Sequence, residues 1–171
     1  MKLLLKKKKN INKYLKTEIC KLKKTFWKYS LKSHLEWFDK YVKDFDIHLL
    51  IFRDRELIGY NLMRIRYLDK IKKKKIKFFY FDTLIVKKKY RGLNLSRKII
   101  DKCKVISNKK GIPIILICEK KHINYYDKWG FTLLNRKDLL FQDYDFNKYS
   151  MLYIKKNKNL FYKKKLKIHL N

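Results

Sequence analysis

The chain has 171 residues and carries 47 lysines and arginines against 15 acids, a formal net charge of +32 at pH 7. With 46% hydrophobic and 16% aromatic residues it holds enough apolar material for one closed core, which excludes a long disordered chain. Its longest uninterrupted apolar run, Ile112 to Cys118, falls far short of the ~20 residues a membrane span needs, and that class is excluded too.

Residues 11–28 place Ile11, Tyr14, Leu15, Ile19, Leu22 and Phe26 at three-to-four spacing, the pattern of an amphipathic helix. Ser30 or Ser33 can cap a second helix whose buried stripe is Leu35, Phe38, Tyr41 and Val42. From Ile47 the period changes: 48–52 reads as a strand, 53–56 as a polar turn and Leu57 to Tyr67 as a second strand. Gly59 inside that strand predicts a bulge or a close backbone approach. A lysine turn at 72–75 leads into a long apolar strand, Ile76 to Val86. The basic break 87–92 opens a helix from about Asn94, with Leu95, Ile99, Cys103 and Ile106 on one face and Gly111 as its stop. Ile112 to Cys118 reads as a strand buried on both faces, with Pro113 tolerated near its start. A short helix, His122 to Trp129, ends at Gly130, and 131–134 and 150–154 are two further strands. The order α-α-β-β-β-α-β-α-β-β is that of an α/β (α+β-like) domain whose helices cover a largely antiparallel sheet.

The most informative stretch is 84–96. A strand ends in Leu84, Ile85 and Val86, a tight basic turn follows through Arg91, Gly92 and Leu93, and a helix opens at Asn94, Leu95 and Ser96. The free backbone N–H groups of a helix start, with its dipole, make an anion site. Lys87, Lys88, Lys89 and Arg91 surround it, and Asn94 both caps helices and tolerates positive φ. Downstream stands Asn124-Tyr125-Tyr126-Asp127-Lys128-Trp129-Gly130-Phe131.

With these two segments the chain resembles the GNAT superfamily of acyl-CoA-dependent N-acetyltransferases. The family's phosphate motif, Gln/Arg-x-x-Gly-x-Gly/Ala, is matched by Arg91-x-x-Asn94-x-Ser96, and its Phe-Tyr-x-Lys-x-Gly-Phe signature by residues 125–131. The likeness is good over 47–131 and holds in outline beyond. Asn94 and Ser96 depart from the pattern by replacing small residues, Glu119 stands where many relatives carry Asn, and His122 takes a position that is usually small.

The resemblance implies one N-acetyltransferase domain over 1–171, with basic ends at 1–10 and 155–171. It also implies a mixed, mostly antiparallel sheet of six to seven strands with helices on both faces and two splayed central strands. Acetyl-CoA would be the co-substrate and a primary amine the acceptor, with no metal. The backbone of Leu84, Ile85 and Val86 would hold the pantetheine arm, Arg91 to Ser96 the pyrophosphate, one of Lys87 to Lys89 the 3′-phosphate, and Asn124 would line the same site. Tyr126 matches the acid position, and a phenol is a suitable donor to a departing thiolate. Asp82 and Glu119, at strand ends, are the candidate bases, with a water chain as the other route. Cys118 reads as a buried thiol rather than a nucleophile. The acceptor would meet Trp27, Ser30, His34, Glu36 and Trp37 on one side and Asp143, Tyr144 and Asp145 on the other, and aromatics beside acids suit a cationic amine or amino sugar.

Lys alone contributes 40 of the 47 basic residues, Ala is absent, and 14 lysines lie in residues 1–16 and 155–171. Arg, the usual reader of phosphates and bases, is scarce, so the charge reads as base-composition bias on tolerant surface positions. A nucleic-acid- or ribosome-associated module without catalysis is the less favoured alternative. Three cysteines without a Cys-x-x-Cys, and a start without a secretory apolar stretch, predict reduced thiols and a cytoplasmic protein, as monomer or homodimer.

Overall fold

The computed structural model describes residues 1–69, 75–134, 139–141, 148–155 and 166–168. In chain order these form β1 (Lys2–Lys7), α1 (Lys13–Lys24), α2 (Leu31–Tyr41), β2 (Ile47–Arg53), β3 (Glu56–Asp69) and β4 (Lys75–Val86). There follow α3 (Leu95–Lys110), β5 (Ile114–Glu119), α4 (Ile123–Asp127), β6 (Thr132–Leu133), β7 (Leu139–Phe141), β8 (Lys148–Tyr153) and β9 (Leu166–Ile168). The fold is mixed α/β with mostly antiparallel strand pairs, and it divides into two compact units.

The first unit comprises Met1–Arg64 and Asp82–Ile99. Its strands run in the order β1-β2-β3-β4. Asn12 caps α1 by accepting from the Leu15 amide, and Ser30 caps α2 by accepting from the Ser33 amide. Leu15, Ile19, Cys20 and Leu22 of α1 and Phe38 of α2 pack with Leu50, Leu57, Tyr60, Leu62 and Ile85. Tyr14 and Phe26, expected on this stripe, are exposed. α1 starts at Lys13 and stops at Lys24, so Phe26 lies past its end, and Tyr14 sits about 100° round from Leu15.

The N-terminal segment, read from sequence as a basic end, contains a strand: β1 pairs antiparallel with β2 from Lys2↔Phe52 to Lys7↔Ile47. Leu4 packs against the core and Lys6, on the same face, is half-buried, while Lys2, Leu3, Leu5 and Lys7 are exposed; lysines are a usual decoration of an edge strand. The expected close approach at Gly59 is present. Its pairing with Ile51 precedes a register shift, and a Cβ there would meet Ile51 Cβ at 3.3 Å.

The second unit comprises Ile65–Phe81 and Ile100–Asn171. The first half of β4 runs parallel to β5, from Phe79↔Ile114 to Phe81↔Leu116. β5 pairs antiparallel with β8 along its whole length, and β6 closes on β8. Phe78, Tyr80, Ile115, Leu134 and Leu152 form the core. β5 starts at Ile114 rather than Ile112, because the Pro113 carbonyl is the first to pair, accepting from the Phe79 amide at 2.8 Å. Gly111, at φ +62°, ends α3 as expected, and the buried stripe there is Ile100, Cys103 and Ser107, with Ile106 half-buried. Leu166–Ile168, inside the second basic end, is also strand and pairs with β3 and β7. Asp143, Tyr144 and Asp145 lie outside the described residues. Cys20, Cys103 and Cys118 are free and buried, and no described helix is long and apolar enough to cross a membrane.

Two fold tests follow from the first unit. Gly59→Val forces branched carbon into Ile51 and is expected to lower unfolding free energy by about 1–3 kcal/mol, read by denaturant titration. His48 is fully buried, stacks between Phe38 and Tyr60, and has Nδ1 2.9 Å from the Tyr60 hydroxyl. Burial foremost, then Lys8 and Lys23, hold its pKa down to about 3. The unfolded chain protonates near 6.5 and the folded one does not. Stability contributed by neutral His48 is therefore lost as pH falls from about 6.5 toward 3, at up to ~1.4 kcal/mol per pH unit. His48→Phe should flatten that slope; an unchanged pH profile in the variant would count against the buried imidazole as its source.

Candidate active site

In the first unit, β4 ends at Val86 and the chain makes one 3-10 turn, Lys88–Tyr90, before α3. Glu56 organises this turn. It meets Lys87 at 2.8 Å and Lys89 at 3.1 Å and accepts from the Tyr90 hydroxyl at 2.7 Å. These hydrogen bonds, Lys87 first, then Tyr90 and Lys89, pull the Glu56 pKa down to about 2. Two of the three lysines expected at phosphates are thus held by Glu56. Lys88 is exposed and, among the described residues, makes no ion pair.

Past the turn the backbone alternates. Arg91 is extended, Gly92 has φ +85° and Asn94 φ +54°. This turns successive amides outward. Among the described residues, the N–H groups of Gly92, Leu93, Asn94 and Leu95 have no hydrogen-bond acceptor. The Asn94 carbonyl already accepts from Lys98, so the 16-residue α3 starts here with the positive end of its dipole. Four unpaired amides at a long helix start make this segment a candidate anion site. A side chain at 92 would meet nothing within 4 Å, so glycine is required for its φ rather than for space. The Arg91 guanidinium stands 5.2 Å from the Phe26 ring, and its Nε donates to the Val86 carbonyl at 3.4 Å. Ser96 is half-buried in the first turn of α3; Leu84 is half-buried, and Ile85 and Val86 are buried.

Asp82, a candidate base, is ion-paired with Arg64 at 3.1 Å, with side chains 18% and 6% exposed. Arg64 follows Tyr60 and Leu62 in the alternation of β3 and also donates to the Tyr41 carbonyl at 3.3 Å. Lys23 of α1 is only 7% exposed, and its Nζ lies 3.5 Å from the centroid of Trp37 and 5.8 Å from that of Trp27. Arg64 lies 5.5 Å from the Trp37 ring. The rings expected to attract a cationic amine already face the protein's own cations. Glu36 and Ser30 are exposed, and buried His34 has Nε2 3.3 Å from the Trp27 carbonyl.

In the second unit, α4 and Gly130, at φ +77°, set Tyr126 against the strands. Its carbonyl accepts from Trp129 and Phe131, and its ring packs edge-on to Phe81, Phe131 and Tyr125. Among the described residues its hydroxyl has no hydrogen-bond partner. Burial, then Cys118 and Tyr125, push its pKa well up, so the phenol stays protonated. Cys118 is buried and its pKa is raised to about 11, first by burial and then by Glu119, the state of an inert thiol. Glu119 is exposed and pairs with Lys121 at 2.6 Å, which lowers its pKa. His122 and Asn124 are exposed.

Sequence reading missed the part played by Lys23, Arg64 and Glu56. A signal existed for two of them. Lys23 stands four residues after Ile19 on the buried stripe of α1, and Arg64 continues the Tyr60, Leu62 alternation. Glu56 gave none, since its partners are 31 to 34 residues away.

Against known proteins, residues 16–131 match the model of the acetyltransferase (GNAT) family. No curated protein sequence matches the chain. Among solved structures, the fold is similar to the GNAT family N-acetyltransferase YhbS of Escherichia coli in complex with CoA, at TM-score 0.71 and 16% identity, covering 99% of this chain and 91% of that one. It is similar to an acyl-CoA N-acyltransferase from Pseudomonas aeruginosa, at TM-score 0.66 and 13% identity over 88% and 97% of the two chains. It is similar as well to an aminoglycoside 6′-N-acetyltransferase complexed with coenzyme A, at TM-score 0.62 and 15% identity over 87% and 94%. With a family match over more than half of the sequence, the chain belongs to the acetyltransferase (GNAT) family.

Proposed function

We propose that residues 1–171 work as one enzyme that moves an acetyl group from acetyl-CoA to the primary amine of a small molecule, amino-sugar-like in size, or of a protein. The single observation that carries this is the run of four unpartnered amides at Gly92, Leu93, Asn94 and Leu95. A pyrophosphate supplies the acceptors these amides lack, and Arg91 adds a fixed charge beside them. Lys88 is the cation free to meet the 3′-phosphate. The main chain of Leu84, Ile85 and Val86 would align the pantetheine as an added strand, and Asn124 is a further proposed coenzyme contact.

Acetyl-CoA supplies an activated thioester, which the neutral acceptor amine attacks directly. Tyr126, a protonated and otherwise unbonded phenol, gives its proton to the departing thiolate. Of the two candidate bases, Asp82 is committed to Arg64, which leaves Glu119, at the exposed end of β5, to pass the amine's proton to water. The structural neighbour that acts on aminoglycosides supports a small-molecule acceptor. A cytoplasmic site of action, where acetyl-CoA is available, goes with this reading.

Acetyl-CoA at ~100 times its Kd should add about 2.7 kcal/mol to folding stability, read as a thermal shift. Arg91→Glu should weaken that binding at least ~10-fold by putting like charge on the phosphate site. Steep, salt-dependent RNA affinity with no response to acetyl-CoA would overturn the reading in favour of a nucleic-acid module. Tyr126→Phe should cut kcat about 100-fold or more with the acetyl-CoA shift intact. A variant that keeps full turnover would remove Tyr126 from the chemistry.

A further inference from the structure

We infer that Glu56 is a positioning residue for the coenzyme: from the hairpin of β2 and β3 it holds the turn 87–91, and so sets how tightly the amides of residues 92–95 take a diphosphate. This rests on the acetyl-CoA reading and deepens it, by assigning part of the coenzyme affinity to a carboxylate outside the phosphate loop.

The turn has little of its own to keep it in place. Inside it the Tyr90 amide donates to the Lys87 carbonyl at 2.9 Å and the Arg91 amide to the Lys88 carbonyl at 3.2 Å, a single winding of 3-10 helix. Lys87, Lys88, Lys89 and Arg91 place four cations within five residues, and like charges that close repel one another. Gly92, next in the chain, has open space where a side chain would stand, so packing does not restrain it.

The restraint comes from the hairpin. Glu56, the first residue of β3, takes Lys87 at 2.8 Å and the Tyr90 hydroxyl at 2.7 Å, with Lys89 at 3.1 Å between them in sequence. The Lys87 amide donates to the Ile58 carbonyl at 2.9 Å, and the Arg53 guanidinium stands 5.6 Å from the Tyr90 ring. The turn is thus gripped at its start and at its end, and its last held residue, Tyr90, directly precedes Arg91. One carboxylate also offsets the mutual repulsion of the lysines it binds. The same hydrogen bonds keep Glu56 ionised at any working pH. A loop ordered in advance loses less freedom when its ligand arrives, and that difference is gained as affinity.

The test is calorimetric titration of wild type, Glu56→Gln and Tyr90→Phe with CoA, dephospho-CoA and pantetheine. Glu56→Gln should weaken CoA and dephospho-CoA alike, about 10-fold, while pantetheine, which lacks the diphosphate, stays within about 2-fold. Tyr90→Phe, which removes one of the three donors, should show the same pattern at smaller size. In the ligand-free chain, hydrogen exchange should be faster at the amides of Lys87, Tyr90 and Arg91 in Glu56→Gln, with β2 unchanged. Unchanged or tighter CoA binding by Glu56→Gln, the result of lysines released to the phosphates, would overturn the inference, as would an equal loss on pantetheine. A wild type that binds CoA no better than pantetheine, or binds neither, would instead overturn the diphosphate site itself.

Discussion

Four adjacent backbone amides that cannot satisfy one another are the constraint on which the functional reading depends. A helix always leaves its first N–H groups without intrahelical partners. In most proteins a capping side chain or water takes them. At the start of α3, where Gly92 and Asn94 have positive φ, the amides of residues 92–95 have no acceptor among the described residues. The departures of Asn94 and Ser96 from the family motif matter less than residue type suggests. Asn94 adopts the required left-handed backbone, which Asn does at small cost, and Ser96 lies beyond the free amides on the first turn.

Glu56 prepares this site from the other side. A single carboxylate on β3 gathers Lys87, Lys89 and the Tyr90 hydroxyl, and so fixes the turn that delivers Arg91 and Gly92. Each contact is partly exposed and individually weak, but three donors on one carboxylate act as a network. The two lysines it binds are withdrawn from phosphate duty. On the proposed reading, recognition of phosphate would then fall to the backbone and Arg91, with Lys88 outside the network. Two of the four cations of residues 87–91 are in this way engaged within the fold.

The central elements were legible in the sequence because they are periodic and uninterrupted. The strand ending at Val86, the helix after Asn94 and the Tyr126 to Gly130 turn all appear where the pattern of apolar and turn residues puts them. The N-terminal strand was not legible. Lys2 to Lys7 has only three leucines in a row among lysines, and its strand character comes from pairing with β2 rather than from alternation. The same holds for Leu166–Ile168. Tyr126 was singled out by motif as a candidate, but the engagement of Asp82 by Arg64 depends on a contact 18 residues apart in sequence. Local patterns report propensity and burial; they do not report which carboxylate a buried guanidinium will take.

Charge in this protein is informative by position and not by number. With 47 basic residues against 15 acids, most cations have no acid to pair with, and on the surface that is of little consequence because water solvates them. Exposed pairs such as Lys16–Asp39 and Lys21–Glu18 form where geometry allows and add little. The same imbalance inside the fold has a different meaning, since desolvation removes the compensation that water gave. A compositional drift toward lysine fills surface positions freely, whereas Lys23, only 7% exposed, lays its Nζ 3.5 Å from the centroid of Trp37 and so exchanges part of its hydration for an aromatic face.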